Sequence, residues 1–67
     1  MKKILTLREK EVFSLLIQNY ATSEIADELC ISQKTVRNHI SNVMQKLCVK
    51  GRAQAVVELI KMNELHL

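Results

Sequence analysis

Proline is absent from this 67-residue sequence, glycine occurs once, at Gly51, and Phe13 and Tyr20 are the only aromatic side chains. Sheet-rich domains draw on turn glycines and prolines and on aromatic strand residues, so these shortages argue against a sheet and favour several short helices. No apolar run nears the roughly 18 residues that a membrane span needs, and no signal-peptide core is present. Cys30 and Cys48 are too few for a disulfide framework, and their spacing fits no zinc pattern. They are expected as free, buried or half-buried thiols in a reducing compartment, the cytoplasm. His39 has no second histidine, serine or acid arranged with it, His66 sits in the tail, and no paired carboxylates stand out. The chain is therefore not expected to be an enzyme or to hold a metal or cofactor.

Apolar residues make up 48% of the chain and charged ones 25%, a balance that favours folding over disorder. A chain this short buries only about 60% of the surface its unfolded form exposes, so residues 1–67 are read as a single all-α domain. The formal charge is +3, and its distribution is more telling than its size. Residues 1–28 hold four basic and five acidic groups, whereas Lys34, Arg37, Lys46, Lys50 and Arg52 lie in a stretch from Leu29 to Val57 that has no acid. Such a stretch suits phosphates, although a merely solvated basic surface would look the same.

Four helices are predicted, at about 7–18, 23–29, 33–47 and 52–62. Thr6 and Glu9 have capping-box spacing, and Leu5 is placed for a hydrophobic staple. The first helix presents Val12, Phe13, Leu15, Leu16 and Ile17 to the core. Thr22 or Ser23 is expected to cap the second, which buries Ile25, Ala26 and Leu29. Ser32 caps the third. At 100° per residue its Val36, Ile40, Val43 and Leu47 form a stripe about 60° wide, opposite Lys34, Arg37, Asn38, Ser41 and Gln45. In the fourth helix, apolar residues from Ala53 to Met62 cover more than about 200°, wider than the stripe a surface helix needs. Either that helix is central to a tiny core or it offers a second edge to a partner. Phe13, Met44 and Met62 read as packing residues.

Two helices joined by a brief break, the second capped by serine and polar outward, describe a helix-turn-helix. It runs from Glu24 to Val36, with Ala26 small at the helix crossing and Ile31 plugging the turn. This geometry places the N-terminal half of 33–47 in a major groove. Arg37 can grip guanine and Asn38 adenine, each through two hydrogen bonds, while the shorter Ser41 reads only if the helix sits deep. Thr35 and the backbone N–H groups following Ser32 favour a phosphate.

The run Leu5-Thr6-Leu7-Arg8-Glu9-Lys10-Glu11-Val12, then Glu24-Ile25-Ala26, then Ser32-Gln33-Lys34-Thr35-Val36-Arg37-Asn38-His39, then Lys46-Leu47, resembles the LuxR/GerE-type DNA-binding domain. The similarity extends from about Leu5 to Met62. Within the family, the stretches from Lys34 to Asn42 and from Gln54 to Leu59 are most similar to stand-alone late-sporulation regulators. The resemblance implies a homodimer formed through the last helix, with Val56, Val57 and Ile60 at its seam. It implies that the third helix binds double-stranded DNA at paired half-sites to regulate transcription. Arg37, Asn38 and Ser41 become base-facing positions. Ser32, Lys34 and Thr35 lie near the phosphates or groove edge, and Lys46, Lys50 and Arg52 act on the backbone. RNA polymerase would be a further partner. Glu11 is expected to support the fold. Where the family usually has glycine after the Lys-Leu pair, this chain has Cys48, which either remodels the helix cap or forfeits about 1 kcal/mol. Asn19 replaces the glycine often found in the first connector. Two alternatives stay open: a helix-turn-helix-shaped protein-interaction module, and the excised output domain of a longer response regulator, although Met1-Lys2-Lys3-Ile4 suits a natural start.

Overall fold

The computed structural model describes residues 4–66, so Met1–Lys3 and Leu67 of the expected 1–67 domain lie outside the described residues. Chain order is α1 (Leu7–Ile17), α2 (Thr22–Leu29), α3 (Gln33–Leu47) and α4 (Arg52–Lys61), with no strand among the described residues. The capping box that starts α1 is complete: Glu9 N–H donates to Thr6 Oγ1 at 3.1 Å, and Thr6 N–H donates to Glu9 Oε1 at 3.0 Å. The expected staple is not there, because the position it would pack against is the exposed Lys10. Leu5 instead enters the core at 8% exposure.

Helix α2 starts one residue earlier than expected. Neither Thr22 nor Ser23 caps it: Ala21 is the N-cap, and its N–H donates to the Glu24 carboxylate at 2.7 Å. Ser32 caps α3, accepting from Thr35 N–H at 3.0 Å. In place of a side-chain cap, the N-terminus of α4 has Gly51 in an extended conformation.

All four helices end the same way, without a glycine. Asn19, Cys30, Cys48 and Asn63 adopt left-handed φ values of 71°, 57°, 56° and 60°. After each, the next N–H reaches back to a carbonyl in the last turn, as in Val49 N–H to Met44 O at 3.1 Å and Ile31 N–H to Ala26 O at 3.0 Å. The left-handed cap is thus retained at Cys48 rather than remodelled. That position also exposes the thiols: Cys30 and Cys48 are both exposed, not buried or half-buried as expected. A Cβ in this region crowds the following carbonyl, a penalty that glycine lacks. Cys48→Gly is therefore expected to stabilise the domain by about 0.5–1 kcal/mol, read as a higher urea midpoint with an unchanged slope.

The core is one cluster. Val12, Phe13, Ile25, Val36, Val43, Ala55 and Leu59 are fully buried, and Ile40 is nearly so. Leu5 and Leu65 close the cluster from the two ends of the chain. The wide apolar arc of α4 divides in two, with Ala55 and Leu59 inside and Val57 50% exposed. Met62, expected as packing, is 37% exposed at the helix end.

Candidate nucleic-acid interface

The break between α2 and α3 is a tight turn. Cys30 takes the left-handed conformation, Ile31 is half-buried over the core, and Ser32 begins α3. Ala26 is 5% exposed and Val36 is fully buried, both in the one core cluster. These contacts fix which way α3 faces. Val36, Ile40 and Val43 point inward, leaving Gln33, Lys34, Arg37, Asn38, Ser41, Asn42 and Gln45 exposed on the outer side. That outer surface carries no acidic residue, and His39 lies half-buried at its margin.

The start of α3 is ordered by its serine cap. Ser32 Oγ holds Thr35 N–H and also shares a 2.9 Å hydrogen bond with Thr35 Oγ1. The Gln33 and Lys34 N–H groups that precede this bond have no intrahelical carbonyl to meet, as at any helix start, so they are available to a phosphate. Ser32 therefore contributes as a cap that orders these donors. The hydrogen bond between the two hydroxyls uses one of their two protons, so the other remains to be donated.

Of the five cations in the acid-free stretch, Lys34, Arg37, Lys50 and Arg52 are exposed and form no ion pair among the described residues. Lys50 also contributes its backbone N–H, which donates to Gln54 Oε1 at 3.2 Å beside the start of α4. Lys46, expected to act on the DNA backbone, is engaged within the fold. Its Nζ lies 2.6 Å from Glu9 Oε1 and donates to Ile4 O at 3.1 Å. The stretch is acid-free in sequence only, because folding carries α1 against the last turn of α3.

Glu9 is the residue that the sequence reading underweighted. It sits in register with Val12 and Phe13 on the buried stripe of α1, where an acid requires a partner cation, and that spacing was the available signal. Burial alone would raise its pKa. The Lys46 hydrogen bond, the Thr6 backbone bond, the Lys46 charge and the Thr6 hydroxyl together outweigh burial and hold the carboxyl below its usual range. Glu9 is thus ionised at neutral pH. Glu11, expected to support the fold, is exposed and among the described residues pairs only with Arg8, at 3.3 Å, a surface contact of little weight.

The seam candidates on α4 are graded. Val57 is exposed, whereas Val56 and Ile60 are half-buried. Beside them runs a shallow groove lined by Val49, Ala53, Gln54, Val57 and Glu58. Among the described residues no cluster of histidine, cysteine, aspartate and glutamate could hold a metal, and no helix is long and apolar enough to cross a membrane.

A four-helix domain with a capped, outward-facing third helix, packed through a tight turn on the second, defines a helix-turn-helix protein. The chain belongs to the family described as bacterial regulatory proteins, luxR family, whose profile matches residues 3–59. It is 70% identical over 66 residues to the spore germination protein GerE of Bacillus subtilis, a match covering 98% of this chain and 89% of that one. It is 53% identical over 58 residues to the transcriptional regulatory protein DegU of Brevibacillus brevis, but spans only 25% of that protein. Among solved structures, one described as the transcription factor GerE superposes with a TM-score of 0.94 at 54% identity, covering 97% of each chain. The response regulator ChrA superposes with a TM-score of 0.86 at 28% identity, and there this chain spans 32% of the longer protein.

Proposed function

We propose that this chain is a sequence-specific reader of double-stranded DNA that acts as a homodimer to regulate transcription. The observation that carries the reading is the outer face of α3, which is exposed, free of acid, rich in hydrogen-bonding side chains and set beside cations that form no ion pair among the described residues. Phosphates dock first. The N–H groups at the start of α3, with Lys34 and Thr35 nearby, fix one strand, and Lys50 and Arg52 at the start of α4 neutralise the backbone. Arg37 and Asn38 then read base edges in the major groove, and Ser41 reads where the helix lies deepest. A second copy joined through Val56, Val57 and Ile60 would present its own α3 about 34 Å away, one helical turn along the duplex.

The homologous spore germination protein suggests sporulation as the setting, and the reading as a promoter-bound regulator adds the cytoplasm as location and RNA polymerase as a further partner. Selection from randomised duplexes, followed by titration of the winners beside scrambled controls at two salt concentrations, tests the proposal. The expected result is a pair of half-sites at fixed spacing, bound about a thousandfold or more tighter than controls. Weak binding without a consensus, lost steeply with salt, would leave only a basic surface and refute sequence reading.

A further inference from the structure

We infer that Lys46 is a positioning residue for the reading helix, acting through Glu9, rather than a phosphate clamp. This rests on the DNA-binding reading above. Glu9 Oε1 accepts from two directions: Lys46 Nζ in the last turn of α3 at 2.6 Å, and Thr6 N–H at the cap of α1 at 3.0 Å. The same ammonium holds the Ile4 carbonyl at 3.1 Å, so one cation ties the entering chain, the start of α1 and the end of α3 together. The Glu9 side chain is only 5% exposed and that of Lys46 is 36% exposed, so the pair is shielded mainly on the carboxylate side.

The buried residues of α1 and α3 are otherwise apolar, namely Val12, Phe13, Val36, Ile40 and Val43. Apolar packing is non-directional and by itself leaves α3 some freedom to roll about its axis. A charge-assisted hydrogen bond is directional and removes that freedom. A roll of about 10° moves groups near the helix surface by about 1 Å, enough to spoil a bidentate contact between Arg37 and guanine. A phosphate drawn to Lys46 would also approach the ionised Glu9, and that repulsion works against direct clamping.

The test uses the whole chain as wild type, Glu9→Gln, Lys46→Met and the double variant, at a temperature where circular dichroism shows each folded. Fluorescence anisotropy on the selected duplex and a scrambled one, across several salt concentrations, gives the specificity ratio and the salt slope. Each single variant is expected to lower the specific-to-scrambled ratio about tenfold, with the slope nearly unchanged and the double variant no worse than either single. Glu9→Gln is the sharper arm, because deleting an acid from a DNA-binding protein would by charge alone tighten binding. If Glu9→Gln unfolds, Lys46→Arg against Lys46→Met replaces it: arginine keeps the pair and is expected to keep the ratio. The inference is overturned if Lys46→Met weakens both duplexes equally and flattens the slope by about 1.8, the mark of one lost phosphate contact in each protomer of the dimer. It is equally overturned if Glu9→Gln tightens both. A wild-type ratio near one would instead overturn the DNA reading itself, and is distinguishable because it appears before any substitution.

Discussion

Leu59→Ala is expected to leave no cooperative thermal transition above 37 °C, whereas Val57→Glu, two positions earlier on the same helix, is expected to melt close to wild type. Leu59 is fully buried in the only hydrophobic cluster among the described residues. Truncating such a leucine costs about 2–5 kcal/mol. A core in a domain this small rarely supplies more than about 3–5 kcal/mol in total. Val57 is 50% exposed, so a change there shifts stability by only about 0.5 kcal/mol. In the proposed homodimer its effect is expected on assembly. Across a two-fold seam Val57→Glu sets two carboxylates face to face, and the affinity for paired half-sites should fall about a hundredfold or more. Binding to a single half-site should hardly change. Thermal melts beside titrations on one-half-site and two-half-site duplexes check both arms. Equal loss on the two duplexes would place Val57 at the DNA rather than at the seam.

Arg37→Ala is expected to erase discrimination at one base position of each half-site while leaving the melting curve unaltered. The side chain is exposed and forms no ion pair among the described residues, so no ion pair is lost with it. A bidentate arginine–guanine contact contributes about 1–3 kcal/mol of discrimination. In a homodimer every substitution occurs twice, so the preferred duplex should lose about 2–6 kcal/mol when both half-sites carry that base. Scrambled DNA should weaken far less, since only one charge per protomer is gone. Repeating the selection with the variant should return a consensus degenerate at that position alone. An unchanged consensus would remove Arg37 from the base-reading set.

The helices were legible because their signals are local. Thr6 with Glu9, and Ser32 before a 3.6-residue stripe, mark helix starts whatever the rest of the chain does. For the same reason α3 matches its expected bounds, while α1 and α4 run one residue short at their fraying C-terminal ends. The left-handed caps were half legible. Asparagine tolerates that region and announces it, but cysteine gives no such signal at Cys30 or Cys48. At Cys48 only the family resemblance pointed to the cap, at Cys30 nothing did, and both thiols are exposed at these left-handed positions. Leu65 was missed altogether, because the turn at Asn63 that folds it into the core at 2% exposure follows the end of the last periodic segment.

By itself the sequence determined the four helices, the inward stripe of α3 and the acid-free outer face, since each depends on spacing along one helix. Tertiary structure decided which cations remain free. Lys46 and Glu9 are 37 positions apart, and nothing in their local pattern brings them together. Closure of α1 onto α3 does so, driven by burial of Val12, Phe13 and Val36, which acts without direction and without regard to charge. Once the helices meet, the buried Glu9 carboxylate needs a partner charge, and the Lys46 ammonium supplies it from the exposed side at 2.6 Å.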